Sequence, residues 1–178
     1  MMKVPIDFVQ FLKTGDFGPL KLGDERSKVL ALLGAPGHWD GPAGTVMADA
    51  CTFHYHGILV MFDDTRVASI SLSTKVDWEE SPIEWQGSCI GDHFSVEDFK
   101  AYLMYKGVAF SSLATSDDHS DAALQTEGGV LAYARHRVFC EPLEDGSGEI
   151  ASYRSPFRYV ATLVVQNPEK MAAKRGKK

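Results

Sequence analysis

The residues best placed to do chemistry sit in the run "FHYH", where His54 and His56 stand two apart. On an extended strand such positions share a face, so both imidazoles could ligate one metal ion if a third ligand came near. His38, Asp63 and Asp64 are the candidates for that ligand. Nothing in the spacing delivers it, and two histidines beside a hairpin turn read more simply as solvent-facing residues, so no metal and no cofactor is expected. Asp63-Asp64 likewise reads as a turn pair. A small metal-dependent or hydrolytic enzyme using His54, His56 and the nearby acids is the alternative reading.

Nucleophilic chemistry has less to work with. The chain has no Gly-x-Ser-x-Gly, and Cys140 lies four residues from His136 in "RHRVFC". On one strand that spacing separates their Cα atoms by about 13 Å. Gly128-Gly129 and "EDGSGE" lack the lysine and the strand-to-helix context of a phosphate loop and read as turns. The three cysteines, Cys51, Cys89 and Cys140, give neither a disulfide framework nor a zinc knuckle. They read as free thiols in a reducing compartment, and no residue is assigned a catalytic role.

Recognition is better supplied. Trp39, Trp78 and Trp85 lie in "GHWDG", "VDWEES" and "IEWQG", among polar or acidic residues rather than inside apolar runs. Tryptophan flanked by Asp77, Glu79 and Glu80 suits an anchor for a basic protein surface, because aromatics dominate binding hot spots and complementary charge speeds association. The formal net charge is -6, yet residues 169–178 carry five Lys or Arg against one Glu. Setting them aside leaves 13 basic against 23 acidic residues, so the body stands at -10. Such a body repels nucleic acid, and the basic end reads as a solvated tail. No run of apolar residues reaches the about 18 that span a bilayer, and the start shows no basic-then-apolar leader. The expectation is a cytoplasmic protein that binds protein, not nucleic acid or membrane.

The elements that must position these residues are well punctuated. "IDFVQFLKTG" spaces Ile6, Phe8, Val9, Phe11 and Leu12 as a first helix stopped by Gly15. "LGDERSKVLALLGAPG" predicts a second helix from an Asp24 N-cap to Leu33, closed by Gly34 and Pro36. The period then becomes alternating, giving strands Cys51–His56, Ile58–Phe62 and Val67–Ser73. Ser95 caps a third helix through Val96, Phe99, Tyr102 and Leu103 to Gly107, preceded by a short strand at "IEWQG". "SSLATSDDHSDAAL" reads as a polar loop, and "GGVLAYARHRVFCEPL" and "YRSPFRYVATLVVQN" as two long strands. Runs of helix followed by runs of strand imply an α+β fold, with helices on one face of an antiparallel sheet and two loosely repeated helix-plus-meander halves. The expected division is residues 1–80, residues 81–168 sharing the same core, and the tail 169–178.

The stretch "FLKTGDFGPLKLGDERSKVLALLGAPGHWD", followed by an aromatic strand and "ILVMFDDTRV", resembles small bacterial proteins of the polymorphic-toxin immunity type. Its LG-helix-LLGxP-hairpin pattern is also similar to the BamE-like (SmpA) lipoprotein domain. The resemblance covers roughly Phe11 to Ser73 and rests on packing residues, so it bears on fold more than on function. The lipoprotein side of it implies a leader and a lipid-bearing cysteine, which this start does not show. The immunity side implies a protein that neutralises a cognate toxin by direct binding.

Overall fold

An apolar residue at every second position gives a strand one buried face, and β-branched or aromatic types at those positions favour it. In the computed structural model, which describes residues 3–73, 80–87, 94–113, 122–142 and 150–166, Ile58, Val60 and Phe62 are buried while Leu59 and Met61 between them are not. The elements run β1 (Val4–Asp7), α1 (Phe8–Thr14), α2 (Arg26–Leu33), β2 (His38–Asp40), a 3-10 turn (Met47–Asp49), β3 (Thr52–Tyr55), β4 (Ile58–Asp63) and β5 (Arg66–Ser73). They continue with β6 (Ile83–Gln86), α3 (Val96–Tyr105), β7 (Phe110–Ser112), β8 (Ala122–Thr126), β9 (Leu131–Pro142) and β10 (Ile150–Gln166).

Among the described residues, eight strands make one antiparallel sheet in the order β2-β3-β4-β5-β10-β9-β8-β7. The fold is α+β, with the helices and the small parallel pair β1-β6 on one face of that sheet. Phe8, Phe11 and Leu12 of α1, Val29 and Leu33 of α2, and Phe99 and Leu103 of α3 form one core with Phe53, Val60, Ile70, Leu72, Leu163 and Val165 of the sheet. Each set of strands follows its own short strand and helix: β1, α1 and α2 precede β2 to β5, while β6 and α3 precede β7 to β10.

The opposite face has its own register. One row crosses all eight strands as His38, His54, Leu59, Ser71, Val164, Leu131, Gln125 and Ser111. A shorter row beside it runs Asp40, Thr52, Met61, Ser69 and Gln166. Ala68 and Ala161 are each skipped in the pairing, as bulge residues that keep the inward set of the longer strands in phase.

Several expectations shift by a few residues or gain a strand. The second helix starts at Arg26, not at an Asp24 cap: Glu25 holds the N-cap position without a side-chain cap bond. Asp24 instead accepts from the Lys21 N–H at 2.7 Å and pairs with Lys28 at 2.8 Å. Burial works to raise its carboxyl pKa but is outweighed by those hydrogen bonds, so it lies below the usual carboxylate range. The first helix begins at Phe8, because Val4–Asp7 is drawn out as β1 against β6. Residues read as a polar loop supply β7 in part and the start of β8. The Ser95 cap forms as expected, its hydroxyl accepting from the Asp98 N–H at 3.0 Å.

Two packing contacts are narrow enough to test. Leu33 is 2% exposed within the shared core, so Leu33→Ala is expected to cost about 2 to 5 kcal/mol in chemical denaturation; a loss under about 1 kcal/mol would contradict its burial. Gly128 lies against the end of α1, where an added Cβ would stand 2.6 Å from the Thr14 nitrogen. Backbone cannot yield as a side-chain tip does, so Gly128→Ala is expected to cost about 1 to 3 kcal/mol. Gly129→Ala, with nothing within 4 Å but a left-handed φ of 76°, should cost only its backbone strain.

Candidate functional site

The polar residues that converge most closely lie at the β2 edge of the sheet. After the α2 helix is closed by Gly34, with Pro36 buried behind it, "HWD" forms a three-residue strand whose positions are all exposed. Antiparallel pairing sets His38 opposite His54 and Asp40 opposite Thr52. The Asp40 carboxylate accepts from His38 Nε2 at 3.0 Å through one oxygen and from His54 Nε2 at 2.5 Å through the other. The two rings stand 5.3 Å apart between centroids. The hydrogen bond from His54, with that from His38 behind it, holds Asp40 below the usual carboxylate range. Cys51, exposed beside this cluster, donates from Sγ to the Asp40 carbonyl at 3.3 Å.

This geometry separates the two histidines that share the "FHYH" run. His54 joins His38 and Asp40, whereas His56 in the following turn pairs with Glu80 at 3.5 Å. Asp63 closes β4 and Asp64 takes the turn beyond it, with a left-handed φ of 57°. The imidazoles of His38 and His54 address separate oxygens of one carboxylate rather than a common point. Among the described residues no group of three or more His, Cys, Asp or Glu is placed to hold a metal ion. Asp40 was not singled out in the sequence. The signal was the alternation in "HWD", which makes His38 and Asp40 neighbours on one face once the segment is seen as a strand.

The tryptophans divide. Trp39 sits on β2, 40% exposed, beside Asp40. Trp85, on β6, is half-buried, its ring 5.1 Å from Phe8 and 5.8 Å from Phe11 and from Phe17. It packs against the core beside α1 with part of its surface still in solvent. Asp77, Trp78 and Glu79 lie outside the described residues, as do Cys89 and the basic tail. Glu80 is exposed, with a carboxylate oxygen 3.5 Å from His56 Nδ1. His136 and Cys140 both fall on β9, where His136 is paired with Arg158 and Cys140 with Ser152. Among the described residues no helix is long and apolar enough to cross a membrane.

Compared with known protein families, curated proteins and solved structures, the chain matches none of them.

The carboxylate at the edge has a testable consequence. Because the folded state lowers the Asp40 pKa, its contribution to stability is present above the ordinary aspartate value and is lost as pH falls through the lowered one. The stability gap between the natural chain and Asp40→Ala should therefore be present above the ordinary aspartate range and close as pH falls below about 4. Urea denaturation on both sides of that pH checks it; a gap that persists unchanged in strong acid would contradict the hydrogen-bonding arrangement.

Proposed function

We propose that this chain is a non-catalytic, cytoplasmic binding protein, most specifically an immunity protein that neutralises a cognate bacterial toxin by direct contact. The observation that carries this reading is Trp39: a large indole held 40% exposed on a short edge strand, next to the Asp40 carboxylate. Burying such a ring is a strong source of binding energy, and the -10 body favours a basic partner domain. The resemblance of Phe11 to Ser73 to immunity-type proteins points the same way. Glu80 and, from the sequence, Asp77, Trp78 and Glu79 are the further candidates for that contact.

One observation favours a second reading. The His54–Asp40 pair has the form of an oriented imidazole, which a hydrolytic enzyme could use as a general base. Its carboxylate is 53% exposed, however, and a base of this kind works best where water is excluded.

Co-expression with the product of the adjacent gene tests the first reading. A stable complex at low salt is expected, with association slowing steeply as ionic strength rises and dissociation changing little. Trp39→Ala should speed dissociation about 30-fold, equivalent to about 2 kcal/mol. Absence of a complex at low salt would overturn the immunity reading, and loss of a hydrolytic activity in His54→Ala would establish the second.

A further inference from the structure

One buried row of the sheet stops short. Across the strands it runs Val165, Ile70, Val60, Phe53 and Trp39. The first four are at most 5% exposed, whereas the indole that ends the row is 40% exposed. The backbone is open at the same point. The His54 carbonyl accepts from the Gly37 N–H at 3.0 Å and the Asp40 carbonyl from the Cys51 N–H at 2.8 Å, so both carbonyls are turned into the space between β2 and β3. Successive residues of a strand turn their N–H and C=O to opposite sides, so those of Trp39, beside Asp40, point away from β3. Among the described residues no strand lies on that side. On the other face of β2, Asp40 ends its own row with a carboxylate 53% exposed and fixed in place by His38 and His54.

We infer that β2 is the docking edge for an extended segment of a basic partner, which adds a strand to the sheet with an apolar residue against Trp39 and an adjacent Lys or Arg against Asp40. The inference rests on the binding role proposed above and names how the partner is held. A strand laid there pairs the N–H and C=O of one residue with those of Trp39, and that residue's side chain falls on the Trp39 face. The buried row is then continued by one more apolar group. The residues on either side of it fall on the opposite face, one of them beside the Asp40 carboxylate, where a cation makes a favourable cross-strand pair. Charge selects who supplies the segment. A body at -10 attracts a basic domain and repels a second copy of itself. The edge itself carries neither Lys nor Pro, which commonly blunt an open strand, while Pro36 and Pro42 bracket it and confine pairing to the residues between them. β7, at the other end of the order, offers Phe110, Ser111 and Ser112, with no charge to choose a partner.

A blocked pentapeptide, Thr-Lys-Val-Lys-Thr, added to the isotope-labelled full chain at up to about 5 mM tests it, because so short a contact should have a millimolar Kd. The Trp39 amide and indole resonances should shift together, and the Trp39 amide should exchange with solvent at least about fivefold more slowly. Thr-Glu-Val-Glu-Thr should bind at least about threefold more weakly, a difference that Asp40→Asn should remove. The lysine peptide methylated on its valine nitrogen keeps every side chain and should bind at least about tenfold more weakly. No shift at β2 up to the highest concentration, equal binding of the methylated peptide, or equal binding of the two charge types would each overturn the proposal. So would protection of the Trp39 amide on concentrating the chain alone, which would make a second copy the occupant. The product of the adjacent gene separates this inference from the immunity reading. A complex with it that leaves the Trp39 amide unprotected overturns the docking edge and leaves that reading standing. Peptide binding as described, without any such complex, supports the docking edge and overturns that reading.

Discussion

Everything in this molecule depends on the antiparallel seam between β5 and β10. Five ladder positions, Ser69 to Ser73 against Gln166 to Thr162, join two four-stranded meanders into one sheet. Apart, each meander would have two open edges and one half-covered apolar face, and an open edge is a template for unwanted pairing. Joined, they leave β2 and β7 as the two ends of the order among the described residues. The inward residues at the seam, Ile70 with Val165 and Leu72 with Leu163, are at most 5% exposed, so the helices of both halves meet over one continuous floor. The bulges at Ala68 and Ala161 lie just outside the seam and let the strands bend without turning the apolar set outward.

A second constraint explains why "LGDER" is so well defined although its aspartate does not cap the helix. The segment before α2 is stitched to the β4–β5 turn rather than to its own helix. Gly23 N–H donates to the Val67 carbonyl at 2.8 Å, Val67 N–H to Asp24 at 2.9 Å, and Arg26 N–H to Thr65 at 2.8 Å. Glu25 adds a 2.7 Å ion pair to Arg66 and accepts the Thr65 hydroxyl. The Arg26 guanidinium spreads over the Phe62 ring, 4.9 Å away, and donates to the carbonyls of Ala48 and Asp64. These bonds satisfy backbone groups of a tight turn whose Asp64 takes a left-handed conformation. The helix is therefore fixed at its start by the sheet, and at its end by Tyr55, whose hydroxyl donates to the Gly34 carbonyl at 3.0 Å.

What the sequence disclosed follows the range of the forces involved. Strands β3, β4 and β5 were legible because the alternation in "CTFHYHGILVMFDDTRVASISLS" is local and its turns are marked by Gly57 and Asp63-Asp64. The helix of Val96 to Tyr105 was legible from its Ser95 cap. Strand β1 was not, since Val4–Asp7 becomes extended only by pairing with β6, some eighty positions away, and its sequence merges into the apolar spacing of α1. Strands β2 and β7 have three residues each, too few for a period to show. The same rule divides the tryptophans. Acidic neighbours in sequence made Trp85 look like Trp39, but the rings that enclose it come from Phe8, Phe11 and Phe17, which only the fold assembles.

The histidine–aspartate cluster has a consequence for the strand that carries it. A carboxylate more than half in solvent sees a high dielectric, which weakens the field it could exert on a transition state. The same hydrogen bonds have a larger effect on the backbone they connect. Among the described residues the three-residue strand β2 is paired along one side only, and such pairing is easily lost. Asp40 ties its own strand to β3 through His54 and to its neighbour His38 at the same time. The residue between them is Trp39. Holding His38 and Asp40 to one face of the sheet fixes the intervening Cα–Cβ bond toward the other, so the indole is presented in a defined direction instead of sampling many. An exposed aromatic that is already oriented loses less conformational entropy when a partner covers it. Under the binding role proposed above, the cluster would act through the strand, by limiting what Trp39 gives up when a partner covers it.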